Sequence, residues 1–290
     1  MFRKLVSMGL AAMVATSLST AVFAQDQSKP VKLGWAAWSD AEFVTKLAAK
    51  LIEDKLGRKV DLVQTDVAPL YQGVARGDLD AMMMAWLPET HADYYARVRD
   101  KVETLGTVYE GAKLGWVVPT YIPADVISTI EDLKNPDVVK KLGGTIQGID
   151  PGAGLTRLSE QAVKDYDLDY KLQISSEAGM LTSVERATRS QKWFVATSWS
   201  PHWMFGKYNL RYLKDTKGSL GKAEHVDVVA RKGLKEEDPK VAKFLSQINL
   251  PISDLEPAMF NAQETSYEAA VDKYIVDHPD QVKGWLEGTN

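Results

Sequence analysis

The sequence predicts an α/β protein of two lobes with a ligand cleft between them. Short apolar runs typical of β-strands alternate with longer segments whose apolar residues recur at helical spacing. This series runs from 31 to 86 and again from about 116 to 212, and the tail from about 226 returns to it. Strands that alternate with helices indicate a mainly parallel sheet. Because no low-complexity linker separates the two series, we expect the lobes to interleave along the chain.

The first series begins with a strand and a long helix. Val31–Trp35 is a short apolar strand, and apolar residues at helical spacing extend from about Asp40 to Leu56. Ser39 and Glu42 have the S-x-x-E spacing of a capping box, which predicts the start of this helix, and Gly57 predicts its end. The rest of the series is predicted as strands at Val60–Gln64 and Leu79–Trp86 and a short helix at Leu70–Arg76.

The second series and the tail repeat the pattern. Its strands are predicted at Leu114–Val118, Thr145–Ile149 and Trp193–Trp199, and its helices at Leu155–Tyr166 and Met180–Arg189. In the tail, Val241–Gln247 and Tyr267–Val276 are predicted helices, and the charge run KEEDPK at Lys235–Lys240 is predicted to be a solvated turn. These limits place lobe I at 25–115 and 213–290 and lobe II at 116–212.

Residues 1–24 have the three parts of a secretory signal peptide. Arg3 and Lys4 supply the positive start, an apolar stretch follows, and Val22-Phe23-Ala24 places small residues where a signal peptidase cuts. The alternative is a membrane anchor, but serine and threonine interrupt the roughly 20 apolar residues that a span needs. We therefore expect a protein exported to the periplasm after cleavage of its signal peptide.

Composition and motifs exclude several classes of function. Lys and Arg number 35 and Asp and Glu 39, so the net charge of −4 offers no basic surplus for a nucleic-acid partner. The absence of cysteine excludes disulfides, thiolate zinc sites and cysteine nucleophiles. The sequence has no G-x-S-x-G, H-E-x-x-H or Walker motif, and its four histidines lack metal-ligand spacing. We expect neither an enzyme nor a cofactor or metal; an exported hydrolase and a structural or adhesion protein are the alternatives.

Two predicted strands end in the same short motif. Trp86-Leu87-Pro88 closes one and Trp199-Ser200-Pro201 closes the other, and Trp38 follows the first strand of the chain. Ligand crevices of open α/β sheets lie beyond the carboxyl ends of their strands, so the three tryptophans are candidates for the walls of one cleft. The alternative is that they are core residues, because large aromatic side chains are mostly buried.

A quaternary ammonium ion is the ligand that such a cluster of tryptophans fits. It carries no N–H to hydrogen-bond a carboxylate, and aromatic faces attract it by roughly 0.5–2 kcal/mol each. Three faces give on the order of 2–6 kcal/mol, whereas micromolar affinity needs about 8 kcal/mol. The ligand therefore needs a second point of attachment.

The helix after Trp38 offers a site for a ligand carboxylate. The unpaired first-turn N–H groups of about Asp40, Ala41 and Glu42 are suited to an anion, and the acidic side chains among them must then turn outward or cap. His202 would add a charge-assisted hydrogen bond of about 1.5–3 kcal/mol. The alternative for His202 is a structural histidine that bonds a neighbouring backbone group.

The segments that carry these features resemble one known family, the glycine betaine/choline substrate-binding proteins of ABC transporters. The similarity covers most of the chain after residue 24 and follows the order of the family. The similar segments are GWAAWSDAE (34–42), DVAPLYQGVARGDLDAMMMAWLPETHADYY (66–95), GAKLGWVVP (111–119), GIDPGAG (148–154), SSEAGM (175–180) and SWSPHWMFGKYNLRYLKD (198–215). The resemblance implies a type II periplasmic-binding-protein fold, whose two lobes are joined by crossover strands and close over the ligand.

The resemblance also implies roles and partners. Trp38, Trp86 and Trp199 correspond to walls of an aromatic cage, and the amides near Ala41 to the carboxylate site. A protein of this kind is a monomer that delivers its small-molecule ligand to an ABC permease with its ATPase.

Departures from the family pattern bear on the choice of ligand. Choline-type relatives have a tyrosine at the place of Leu114 and an asparagine at the place of Ala153. Trp116 shares a strand face with Leu114 and is a candidate for the aromatic wall that Leu114 does not supply. Asp40 matches a residue that choline-type relatives use near the alcohol end. We expect glycine betaine or a similar methylated zwitterion, with choline next; carnitine, proline betaine and sulfonium analogues stay open.

Overall fold

A nine-stranded mixed sheet runs through residues 29–289, the part of the chain that the computed structural model describes. The signal peptide predicted at 1–24 lies outside the described residues. The strands are β1 (Val31–Trp35), β2 (Val60–Gln64), β3 (Ala81–Leu87), β4 (Val102–Pro119), β5 (Thr145–Gln147), β6 (Lys171–Gln173), β7 (Val195–Ser200), β8 (Leu210–Tyr212) and β9 (Glu224–Arg231). Their order in the sheet is β2-β1-β3-β9-β4-β7-β5-β6, and β8 pairs with β4.

Helices connect most of the strands. They are α1 (Ser39–Leu56), α2 (Val67–Arg76), α3 (Ala92–Ala96), α4 (Pro136–Leu142), α5 (Gly154–Asp165), α6 (Glu177–Arg189), α7 (Met204–Lys207), α8 (Leu234–Glu237), α9 (Pro239–Gln247), α10 (Ile252–Glu264), α11 (Tyr267–Asp277) and α12 (Pro279–Trp285). Between residues 29 and 289, none of these helices combines the length and apolar character that a bilayer crossing requires.

The sheet is less parallel than the sequence predicts. Strands β1, β2 and β3 pair in parallel, as do β5, β6 and β7. Between these groups β9 runs antiparallel to β3 and β4, and β4 runs antiparallel to β7. The prediction of a mainly parallel sheet is therefore right within each group and wrong where the groups meet, because two long strands join them.

Strand β4 passes through both halves of the molecule. Its residues from Val102 to Ala112 pair with β9, and those from Lys113 to Val117 pair with β7. The register with β9 shifts between Glu110 and Ala112, and Gly111 between them has φ +78°. That left-handed conformation strains any side chain, so glycine is suited to the bend.

Two apolar clusters form the core. The larger one contains Leu33, Leu47 and Val228 around β1, β3, β9 and α1, and it extends across the cleft to Ile149 and Trp199. The smaller one contains Ile146 and Tyr166 and lies in lobe II. Leu213 and Leu220 also belong to the smaller cluster, and the lobe limits given above stay a prediction.

Helix α1 has the predicted end but not the predicted cap. Gly57 follows it with φ +67°, and its N–H bonds to Ile52 O, as expected of a C-terminal glycine. The capping box is wrong: Trp38 is the N-cap residue and no side chain caps the helix. The Ser39 hydroxyl instead donates to Glu177, and Glu42 pairs with Lys46 at 2.8 Å.

The charge run before α9 is more ordered than a solvated turn. Its first residues belong to α8, and Asp238 is buried as the N-cap of α9, where it accepts from Val241 N–H at 3.3 Å. Asp238 also forms an ion pair with buried Arg58 of lobe I. The predicted exposure is therefore right for five of the six residues. The turn is wrong, because two helices meet here, and an arginine 180 positions away pairs with the one buried residue.

Candidate ligand-binding site

A cavity with about 290 Å³ of empty space lies between the two lobes. This figure includes space that is open to solvent. Its lining residues come from both lobes: Trp38, Asp40, Trp86, Thr90, His91, Leu114, Ile149, Ala153, Gly154, Leu155 and Trp199.

The structure brings the three predicted tryptophans to this one cavity. Trp38 follows β1, Trp86 lies in β3 and Trp199 lies in β7, and each side chain is buried. The indole N–H of Trp38 donates to Asp150 Oδ2 at 2.9 Å, and that of Trp199 donates to Asp40 Oδ1 at 3.0 Å. Each of these hydrogen bonds joins one lobe to the other, so the protein itself holds the two rings in place when the lobes are together.

Asp40 turns inward, contrary to the expectation that it points outward or caps. It is 1% exposed and lines the cavity. Its carboxylate accepts from Tyr109 Oη at 2.6 Å and from the Trp199 indole at 3.0 Å. Burial raises the pKa of Asp40, and the nearby Glu177 carboxylate adds to this, while the hydrogen bonds from Tyr109 and Trp199 oppose it. The tryptophan cluster therefore has an acidic group beside it.

His91 is a neutral hydrogen-bond donor in the wall of the cavity. Burial lowers the pKa of His91 to about 3. Its Nδ1 accepts from the backbone N–H of Trp86 at 3.2 Å, so the proton of the neutral ring is placed on Nε2. The ring also contacts Trp38, with centroids 6.1 Å apart. The sequence shows the spacing of His91 five residues after Trp86, but our prediction gave it no role.

The amino end of α5 also opens on the cavity. Ala153 is its N-cap, and the backbone amides of Thr156 and Arg157 are those that bond back to Ala153 O. The amides of Gly154 and Leu155 precede these bonds, and both residues line the cavity. Free amides at a helix start suit an anion. The segment GIDPGAG contains this helix start, and the prediction assigned the anion site to α1 instead.

Gly154 packs directly on the opposite lobe. A Cβ atom at this position would lie 2.3 Å from Thr90 O and 2.5 Å from its methyl group. Only glycine therefore fits between the lobes in the closed cleft.

The anion site predicted at α1 is occupied by a side chain of the protein. The backbone N–H of Ser39 donates to Glu177 Oε2 at 2.9 Å, and that of Glu42 bonds within the helix to Trp38 O at 2.8 Å. Ala41 is buried, and neither Ala41 nor Glu42 lines the cavity. Glu177 thus places a carboxylate of the protein at Ser39, next to the amides that were predicted to bind a ligand carboxylate.

His202 lies behind the cavity and does not line it. It is fully buried, its Nδ1 accepts from Met204 N–H at 3.0 Å, and its Nε2 lies 3.2 Å from Glu177 Oε1. Its ring packs edge-on against Trp199, with centroids 4.5 Å apart. These contacts favour the structural alternative for His202.

Trp116 lies away from the three tryptophans that line the cavity. It is fully buried in the lobe II cluster, and its indole N–H donates to Ser159 Oγ at 2.9 Å. Leu114 does line the cavity. Two strand residues span roughly 7 Å, enough to carry Trp116 from the cleft into the core.

Comparison with known proteins identifies the family. Residues 29–277 match the family described as the substrate binding domain of the ABC-type glycine betaine transport system. The chain is 36% identical over 156 residues to the glycine betaine/carnitine transport binding protein GbuC of Listeria monocytogenes, an alignment of 52% of each chain. It thus matches about half the length of that relative. The glycine betaine/proline betaine-binding periplasmic protein of Escherichia coli is 24% identical in an alignment of length 313 that covers 94% of each chain.

Solved structures share the fold. Lactococcal OpuAC, closed and complexed with glycine betaine, has a TM-score of 0.82 and 37% identity over 89% of this chain and all of its own. A choline binding protein in complex with choline has a TM-score of 0.81 and 27% identity over 89% of this chain and 92% of its own. The predicted two-lobed α/β fold with a ligand cleft is confirmed.

Proposed function

Because the chain belongs to the family of substrate-binding domains of ABC-type glycine betaine transport systems, we propose that it captures glycine betaine, or a similar methylated zwitterion, and delivers it to an ABC importer. The family consists of transport binding proteins and not of enzymes, so the proposed function is binding without chemical conversion. Relatives named for glycine betaine support this ligand.

One observation carries the proposal: the cavity is lined by groups that suit both ends of a zwitterion. Three tryptophans and the Asp40 carboxylate are the lining groups that suit a cation. Aromatic faces attract a trimethylammonium head by roughly 0.5–2 kcal/mol each, and the adjacent carboxylate adds favourable electrostatics. These groups form the proposed seat of the cationic head.

The ligand carboxylate is proposed to bind at the start of α5. The amides of Gly154 and Leu155 and the Nε2–H of His91 are the available donors there. A hydrogen bond to a charged group contributes roughly 1.5–3 kcal/mol. Together with the tryptophan faces, such bonds reach the roughly 8 kcal/mol of micromolar affinity. This assignment replaces the carboxylate site predicted at the amides of α1.

Choline is the second candidate ligand, and Asp40 is the observation that favours it. A buried carboxylate beside the cage suits a ligand with a net positive charge, and a choline binding protein shares the fold at 27% identity. Against choline, the donors of α5 and His91 would have no anion to bind.

We further propose that the protein works in the periplasm, as a monomer, beside a permease and its ATPase. The predicted signal peptide and the periplasmic relative from Escherichia coli support this location.

Isothermal titration of the purified protein with glycine betaine, choline, carnitine and glycine tests the function. Glycine betaine is expected to bind most tightly, and glycine, which lacks the methyl groups, is expected not to bind. Tight binding of glycine, or binding of none of the methylated ligands, contradicts the proposal.

A further inference from the structure

The starts of two helices face the cleft, and the protein fills one of them itself. Helix α1 belongs to lobe I, and the Glu177 side chain that binds its Ser39 N–H belongs to α6 of lobe II. The Ser39 hydroxyl donates to the second oxygen of the same carboxylate. Both side chains are buried, with Glu177 4% and Ser39 5% exposed. A two-point contact between the lobes is thus enclosed beside the ligand cavity.

Other lobe II groups converge on the same point. The indole N–H of Trp203 donates to Ser39 Oγ at 2.9 Å, and His202 Nε2 lies 3.2 Å from Glu177 Oε1. Ser39 precedes Asp40, whose carboxylate holds the Trp199 ring. The contact at Ser39 is therefore connected to the tryptophan cage through the neighbouring residue Asp40.

We infer that Glu177 is a latch: its carboxylate completes the start of α1 only when the cleft is closed, and so holds the lobes shut over the bound ligand. When the cleft opens, water replaces Ser39 around the carboxylate and around the helix start. Glu177 is a positioning residue, since it does not line the cavity, whereas Asp40, which follows Ser39, does. The inference rests on the proposed function, because it concerns closure over that ligand.

A latch of this kind acts on release more than on capture. The open protein meets its ligand before the contact forms, whereas the closed complex must break the contact to dissociate. Loss of the latch lowers the population of the closed state and weakens apparent affinity in proportion. The dissociation rate is expected to rise while the association rate stays nearly constant.

Stopped-flow tryptophan fluorescence with glycine betaine tests the latch. Glu177→Ala is expected to raise the dissociation rate about tenfold or more, the equivalent of one hydrogen bond to a charged group. Glu177→Gln keeps an acceptor for the Ser39 N–H and removes the charge, so a smaller rise of about threefold to tenfold is expected. Glu185→Gln, at an exposed position of the same helix, is the matched control and should behave as wild type.

The outcomes separate the latch from the function. Wild-type protein that binds no methylated ligand contradicts the proposed function and the inference with it. Wild-type binding with an unchanged dissociation rate in Glu177→Ala contradicts the latch alone, as does an equal change in the Glu185→Gln control. If Glu177→Ala does not fold by circular dichroism, the nearly isosteric Glu177→Gln decides: a wild-type dissociation rate then overturns the latch.

Discussion

At the scale of single residues, the cavity owes its character to side chains whose polar atoms are already bonded within the protein. The Trp38 and Trp199 indoles donate to Asp150 and Asp40. When the lobes are together, these N–H groups are bonded within the protein, so the ligand can be recognised through the ring faces. The sequence indicates these rings by their place after strands, but not the carboxylates that hold them.

The cage makes a direct prediction for Trp86 and Trp199. Trp86→Ala or Trp199→Ala is expected to weaken glycine betaine binding roughly tenfold or more, through the loss of one aromatic wall. Trp193→Ala is the control, because Trp193 packs beside the lobe II cluster and does not line the cavity. Calorimetric titration measures the change, and wild-type affinity in both cage variants would refute the cage.

Asp40 makes a prediction in which binding and stability move in opposite directions. Asp40→Asn removes the charge and keeps one acceptor oxygen for the Trp199 indole, while the Tyr109 hydroxyl can turn to accept from the new amide. Glycine betaine is expected to bind several-fold more weakly. Because the pKa of Asp40 is raised in the folded state, its contribution to stability is greatest at acidic pH and is lost as pH rises through the folded pKa. At pH 7 the asparagine variant is therefore expected to have the higher melting temperature.

Thermal unfolding at pH 7 and pH 4 checks this sign. The stability advantage of Asp40→Asn should shrink on acidification, because protonated aspartic acid and asparagine are both neutral. An advantage that grows at pH 4 would show that the charge of Asp40 stabilises the fold.

At the scale of elements, hydrophobic patterns predict where most strands and helices lie. They do not predict the helix caps or whether neighbouring strands run parallel or antiparallel. Hydrophobic spacing locates β1 and α1 within a residue. The capping box fails because Glu177, 138 positions away, takes the serine that would have capped. The antiparallel junction of β9 with β3 escapes because spacing within a strand carries no information about its neighbour's direction.

The loop after β3 makes the prediction at this scale. Glu224 of β9 accepts from the backbone N–H groups of Glu89 and Thr90, at 2.6 and 3.0 Å, and from the Thr90 hydroxyl. Glu224→Gln weakens this clamp, so faster amide hydrogen exchange at Thr90 and a several-fold loss of ligand affinity are expected. Glu110→Gln, at an exposed position of β4, is the control. Unchanged exchange at Thr90 would exclude the clamp.

At the scale of the whole molecule, the site exists only where two lobes meet. The sequence predicts the tryptophans, since each lies at the end of a strand or soon after it. It misses Glu177, His91 and the start of α5, because their roles depend on which groups face each other after closure. A helix start is visible in the sequence, but the side chain that fills it is not.

Gly154 makes the prediction for closure. Gly154→Ala would place Cβ against Thr90 O of the other lobe, so the cleft cannot close fully and glycine betaine affinity is expected to fall about tenfold or more. The open form is not obstructed, and the ligand-free protein should keep its melting temperature. Gly284→Ala, where a Cβ meets open space within α12, is the control. Small-angle scattering that shows full ligand-induced compaction of Gly154→Ala would contradict this account.

The bend at Gly111 has a consequence for opening of the cleft and release of the proposed ligand. Through Ala112, one residue past the bend, β4 is bonded to β9, and from Lys113 onward it is bonded to β7. A rotation of the halves about that point would leave both sets of ladder bonds intact. The free energy of reopening is then set by the few polar contacts between the lobes, such as that of Ser39 with Glu177, which exchange a protein partner for water. The sheet behind them keeps the same hydrogen bonds in the open and the closed protein.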